Sequence, residues 1–137
     1  MRLPRSTAGW TMAIFGVLAV VMGVLGLTTP ETLLKSLGFE VLADGSRAEG
    51  DYTTTFVTAS SMASFNMGVY YLVAVHHEWR AFYRFTTVFR LVTFVVFTSL
   101  VVAGQAPGRF FGVAAWEGLG AAATGAALWW DHRKATG

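Results

Sequence analysis

The sequence predicts an all-α polytopic membrane protein, an antiparallel bundle of four transmembrane helices that forms one domain of 137 residues. Hydrophobic residues make up 54% of the chain and charged residues only 13%, whereas about a quarter of a typical soluble domain is charged. Four apolar stretches each approach the roughly 20 residues that a helix needs to cross a bilayer. They lie at residues 9–27, 56–75, 82–103 and 110–130.

The first stretch, residues 9–27, carries no charged residue and is predicted to be a retained span. Arg2 and Arg5 before it would also suit a signal peptide. However, the apolar run is longer than the roughly 7–15 residues of a signal-peptide core, and no small-residue cleavage site follows it. A helix in the core of a soluble protein is the other alternative, and hydrophobicity on all faces argues against it.

The first connection, residues 28–55, is predicted to be an outer loop with a short surface helix. Thr28 and Glu31 are spaced like a capping box, and Pro30 suits a first helical turn. Gly38 suits a helix stop. The residues that this helix would turn toward the membrane surface are Leu33, Leu34 and Leu37.

Short links join the remaining stretches. The sequence reads HHEWR at residues 76–80 and GQAPG at residues 104–108. Because links of this length cannot span the bundle, neighbouring helices are predicted to be antiparallel.

The predicted orientation follows from lysine and arginine, which accumulate in cytoplasmic connections. Arg90 is left out because it falls inside a predicted span, and the remaining basic residues are biased toward the side of both termini. This bias predicts a multi-pass protein of the cell inner membrane with cytoplasmic N- and C-termini. The basic residues on that side are Arg2, Arg5, Arg80, Arg84, Arg133 and Lys134, and those on the other are Lys35, Arg47 and Arg109.

Polar residues inside the predicted spans form a candidate intramembrane cluster. Such residues cost a few kcal/mol each unless they have a partner or a function. Arg90 and Glu117 are within reach of each other, while Asn66 lies at the depth of Arg90 and stacks with Tyr70. The pair would either fix helix register or line a pocket for a ligand or a proton. A further alternative is that Arg90 extends to the inner headgroups.

Small residues recur every four positions on two predicted helices. Such stripes let helix backbones approach closely, either within one bundle or between subunits. The residues are Ser60, Ser64 and Gly68 in the second stretch and Ala114, Gly118, Ala122 and Ala126 in the fourth.

No catalytic motif accompanies these residues, and we expect no cofactor. The chain has no cysteine, which excludes thiolate metal sites and iron–sulfur clusters. A net charge of +2 does not make a nucleic-acid-binding face. His76 and His132 are weak candidates for a metal site, since the adjacent His76 and His77 point about 100° apart on a helix.

Three segments carry a family resemblance. They read SFNMGVYYLVA (64–74), FYRFTTVFRLVTFVVFT (82–98) and WEGLGAAATGAAL (116–128). These segments resemble the BphX-like family of small four-helix membrane proteins, whose layout is distantly similar to DoxX-type proteins. The resemblance implies no activity, cofactor or catalytic residue, but it implies a context of hydrophobic-substrate metabolism.

The predicted function is a non-catalytic accessory or structural subunit of a larger membrane complex, linked to hydrophobic, aromatic or hydrocarbon substrates. The alternative is a binder or carrier of a hydrophobic small molecule or lipid in a cavity near Arg90 and Glu117. An isomerase-type membrane enzyme with Glu117 as the acid is a third interpretation. Expected partners are the lipid bilayer and either other membrane subunits or further copies of the chain.

Overall fold

The computed structural model describes residues 3–42 and 48–136, and within them the chain is helical with no strand, so the all-α prediction is confirmed. The first connection carries the predicted short helix. The helices are α1 (Thr7–Thr28), α2 (Pro30–Ser36), α3 (Thr53–His76), α4 (Arg80–Val102) and α5 (Phe111–Thr136), with a 3-10 turn at Gly108–Phe110.

The four long helices form an antiparallel bundle in the spatial order α3–α1–α5–α4. The most extensive packing joins α1 to α3 and α4 to α5, while α1 and α5 contact each other across the middle. Helices α3 and α4 follow each other in the chain but meet only sparsely, near their short link, where the Tyr83 hydroxyl donates to the Ala74 carbonyl at 3.4 Å. Chain order therefore does not set the packing order.

Glycines of α1 bring its backbone close to that of α3. A Cβ on Gly23 would lie 2.7 Å from the backbone nitrogen of Phe65, and one on Gly68 would lie 2.6 Å from the carbonyl oxygen of Gly16. Close backbone approach of this kind is how membrane helices gain packing contacts without a hydrophobic driving force. Gly9, Gly16 and Gly23 recur every seven residues in α1, a pattern that the predicted stripes on the other helices did not include.

Only some residues of the predicted small-residue stripes contact another helix. Ser64 donates its hydroxyl to the Ala19 carbonyl of α1 at 3.1 Å, and Gly68 lies against the same helix. On α5, Ala114 is buried and Gly118 faces Phe94 of α4. The remaining stripe positions, which are exposed in the bundle, are Ser60, Ala122 and Ala126.

Helix α2 has the predicted position but a different start. Pro30 is its first residue, and Gly38 ends the segment with φ +85°, a left-handed conformation that glycine adopts without strain. The N-cap is Thr29, whose hydroxyl caps no N–H group of α2 and donates instead to the Leu25 carbonyl of α1 at 3.0 Å, so the predicted capping box is wrong. Thr28 instead donates its hydroxyl to the Val24 carbonyl within α1. Leu34 is buried and docks α2 onto the bundle.

Two described helices, α1 and α4, are long and apolar enough to cross a membrane, rather than the four that the sequence predicts. Only 22% of the most apolar window of α1 and 11% of that of α4 is buried, so neither resembles the mostly buried core helix of a soluble protein. Helices α3 and α5 have the length but are less apolar. Their polar and small residues include Asn66, Ser61, Gly68, Glu117, Gly120 and Thr124.

Candidate functional site

The candidate site lies inside the bundle, where α4 and α5 bring a cation and a carboxylate into contact. The Nε–H of Arg90 donates a hydrogen bond to Oε2 of Glu117 at 2.8 Å, so the side chains form an ion pair. The Nη2 group of Arg90 donates to the carbonyl oxygen of Trp116 at 3.4 Å. Only 4% of the Arg90 side chain and 22% of the Glu117 side chain are exposed. Loss of either partner would leave a largely buried charge uncompensated.

The guanidinium of Arg90 fills a close-fitting space between α1 and α5. Its Cζ lies 4.1 Å from the centroid of the Phe15 ring, which is a cation–π contact, and that ring packs edge-on against Trp116. Gly120 makes room on α5, because a Cβ there would overlap both Nη atoms. Nη1 is buried with no hydrogen-bond partner among the described residues, and the Phe15 ring face compensates part of that deficit. Arg90 is therefore held inside the bundle and does not extend to headgroups.

In the polar layer next to the ion pair, the tyrosine that points inward is Tyr71 and not the predicted Tyr70. The Thr86 hydroxyl donates to the Tyr71 hydroxyl at 3.0 Å, whereas Tyr70 is 54% exposed on the outer face of α3. A second contact, 3.2 Å between the hydroxyls of Thr11 and Thr124, joins α1 to α5. Adjacent helical residues point about 100° apart, so packing decides which of two neighbouring tyrosines turns inward.

Asn66 is the member of the predicted cluster that the structure leaves apart. Its side chain is half-buried and makes no hydrogen bond within the described ranges of the chain. It lies on the side of α3 opposite α1, one turn from Tyr70. The structure thus joins Arg90 to Glu117 and places Asn66 and Tyr70 on the outer surface.

The chemistry of the pair suits charge compensation better than acid–base catalysis. A guanidinium carries only N–H donors and no acceptor, so Arg90 has no atom that could take a proton from Glu117. Among residues 3–42 and 48–136, no group of three or more His, Cys, Asp or Glu side chains could hold a metal ion. The candidate ligands His76 and His132 are therefore not assembled into a metal site.

A further polar cluster, which the sequence did not indicate, caps the N-terminus of α1. The Glu78 carboxylate accepts hydrogen bonds from the backbone N–H groups of Arg5 and Ser6 and, at 2.7 Å, from the Ser6 hydroxyl. Glu78 adopts φ +49°, a left-handed conformation usually given to glycine where a helix ends. A glycine there would relieve the strain but lose the carboxylate that holds the start of α1.

Asp131, near the end of α5, completes this cap. Its two carboxylate oxygens accept from the backbone N–H groups of Thr7 at 3.1 Å and Ala8 at 2.9 Å. Burial opposes ionisation of Asp131, but hydrogen bonds from Ala8 and Thr7 and the nearby Arg80 charge outweigh it, so its pKa falls below the usual 3.8. The stabilisation is therefore complete above a pH of about 3.8 and is lost as the pH falls through the lowered pKa.

One sequence signal could have indicated both caps. Glu78 directly follows the C-terminal end of α3 and Asp131 lies in the last turns of α5, where the dipole of each helix disfavours a negative charge. Carboxylates at two such positions suggest that they serve the N-terminus of another helix.

Two open surface cavities in the described part of the chain lie away from the ion pair. One of about 210 Å³ is bounded by Arg5, Val75 and Glu78, and another of about 260 Å³ by Val69 and Leu72. Both lie at the C-terminal half of α3, and neither is lined by the residues of the ion pair.

No protein-family model matches the chain, and neither a curated protein nor a solved structure does. The resemblance to the BphX-like family therefore stays a sequence-based expectation.

Proposed function

We propose that the chain is a four-span integral membrane protein that acts as a non-catalytic, structural subunit of a larger membrane complex. The observation that carries the proposal is the distribution of apolar side chains, which cover the outer surface where a soluble bundle carries polar residues. The interior holds the ion pair and the hydroxyl contacts beside apolar side chains such as Met12 and Val75, while all four long helices expose large apolar side chains. Among them are Val21 at 53%, Val73 at 52%, Val95 at 60% and Leu119 at 70% exposure.

This distribution supports spanning by α3 and α5 as well as by α1 and α4. Several small and polar residues that make α3 and α5 less apolar are buried inside the bundle, as Ser61 and Thr124 are. A spanning helix tolerates polar groups on its inward face where neighbouring helices bond to them, provided that its lipid face is apolar. Mean composition of a helix therefore understates how well its outer face suits lipid.

Tryptophans at one end of the bundle support a membrane boundary there. Trp10, Trp79, Trp129 and Trp130 are all about half exposed at the end where both termini lie. The Arg133 guanidinium stacks over the Trp129 ring at 4.0 Å. Aromatic side chains with adjacent basic groups are typical of the headgroup level, and the basic bias favours the cytoplasmic side for this end.

Cysteine labelling tests the topology, because the chain has no cysteine of its own. We expect an impermeant maleimide to label Glu49→Cys and Gln105→Cys in intact cells, and His77→Cys and Thr136→Cys only after permeabilisation. If only α1 and α4 crossed the membrane, Gln105→Cys would be protected and His77→Cys labelled, which would contradict four spans. Ser6 is unsuited to labelling because it is buried as the N-cap of α1, and Ser46 lies outside the described residues.

The structural role rests on the enclosed position of Arg90 inside the bundle. Arg90 is enclosed by Glu117, Phe15 and Gly120, and the cavities described above do not reach it. The BphX-like resemblance would place such a subunit near enzymes of hydrophobic, aromatic or hydrocarbon substrates. One observation favours the alternative, a binder of a hydrophobic molecule: Glu117 is partly exposed, and its Oε1 accepts no hydrogen bond from the described residues.

Purification in mild detergent followed by native mass spectrometry separates these functions. A structural subunit is expected to carry a different membrane protein at fixed stoichiometry, and Glu117→Gln with Arg90→Gln is expected to leave that association intact. A bound lipid or aromatic molecule that is lost from the double variant, with no protein partner, would favour the binder instead.

A further inference from the structure

The outer face of α3 carries an unsatisfied amide in the middle of the helix. Asn66 lies two residues before Gly68, which packs on α1, so it points about 160° away from that contact. Its neighbours one turn away on either side, Met62 and Tyr70, are 44% and 54% exposed. No described residue forms a hydrogen bond with the Asn66 side chain.

An amide in this position is costly in hydrocarbon. In the proposed topology the middle of α3 lies deep in the bilayer, where no water can bond to a carboxamide. Asparagine at such a depth commonly bonds to a polar group on another helix. No described residue of the monomer supplies such a group, so a partner for Asn66 would come from a second molecule.

We infer that this face of α3 is the interface of a homodimer in which Asn66 of one copy bonds to Asn66 of the other. The inference rests on the proposed function only in that α3 must cross the membrane. A carboxamide carries one acceptor and one donor group, so it is complementary to itself. A second copy inserted in the same direction is also the one molecule certain to present an amide at the same depth.

Two alanines on the same side of α3 as Asn66 leave room for a second helix to approach. Ala63 and Ala59 lie one and two turns before Asn66, and both are exposed. Small side chains at four-residue spacing let two membrane helices pack backbone to backbone. A two-fold axis parallel to α3 would pair this face with itself, which is the isologous arrangement of most homodimers.

Energy transfer between labelled copies in vesicles, measured over a range of protein-to-lipid ratios, tests the interface. We expect Asn66→Leu to weaken dimerisation about fivefold to thirtyfold, the range expected for an interhelical hydrogen bond in a bilayer. Asn66→Gln is expected to retain dimerisation, because it keeps the carboxamide. Thr58→Val is the matched control, since that α3 hydroxyl already bonds to the Thr54 carbonyl, and it is expected to leave dimerisation unchanged.

Disulfide crosslinking provides a readout that does not change Asn66. Under mild oxidation in membranes, Ala63→Cys is expected to form a dimer, and Val92→Cys on the exposed face of α4 is not. Equal crosslinking at both positions, or an Asn66→Leu variant that dimerises as well as the parent, would overturn the inference. Circular dichroism checks that the variants are folded. Labelling of Gln105→Cys tests the topology separately from the dimer. If that labelling supports four spans but no dimer forms, the inference fails and the proposed topology stands.

Discussion

Glu117→Gln and Arg90→Gln are each expected to lower the free energy of unfolding in detergent by about 3–5 kcal/mol. The reason is that each change leaves the other partner as a charge inside the bundle, and Arg90 is only 4% exposed. The double variant is expected to cost less than the sum of the single variants, because neither charge is then left without its partner. Denaturation in detergent, monitored by circular dichroism, measures the free energy of unfolding of all three variants.

The matched control is Arg84→Gln, which removes an exposed arginine from the same helix. A change of within about 0.5 kcal/mol is expected there. Strictly additive costs for Arg90 and Glu117 would mean that the ion pair contributes no coupling energy. Single variants as stable as the parent would contradict the enclosed position of Arg90.

Gly23→Ala is expected to destabilise the protein by about 1–3 kcal/mol, as overpacking of a tight interface does. The added Cβ would lie 2.7 Å from the backbone nitrogen and 2.8 Å from the Cα of Phe65. Backbone atoms cannot turn aside as a flexible side chain can, so α1 and α3 must move apart. Thermal unfolding in detergent is the measurement.

Gly112→Ala is the matched control, since both glycines are helical and nothing lies within 4 Å of a Cβ at Gly112. Alanine favours a helix by up to about 1 kcal/mol over glycine, so this variant is expected to be neutral or slightly more stable. A Gly23→Ala variant that behaves like Gly112→Ala would mean that α1 and α3 are not in close backbone contact.

The sequence alone indicated where the helices lie, because hydropathy and helix signals are local. The four long helices contain nearly all of the predicted apolar stretches, and α2 has Pro30 in its first turn and is followed by Gly38, as predicted. Depth along a helix also follows from residue count, which is why Arg90 and Glu117 could be paired before their contact was known.

Only the tertiary structure decided which helices are neighbours and which of their faces are in contact. The order α3–α1–α5–α4 depends on glycine contacts of α1, and the choice of Tyr71 over Tyr70 depends on the rotation of α3. The caps on α1 join Ser6 to Glu78 and Thr7 to Asp131, which are 72 and 124 residues apart. Hydropathy and spacing carry no information on helix rotation or on contacts this distant, because both arise only when whole helices pack.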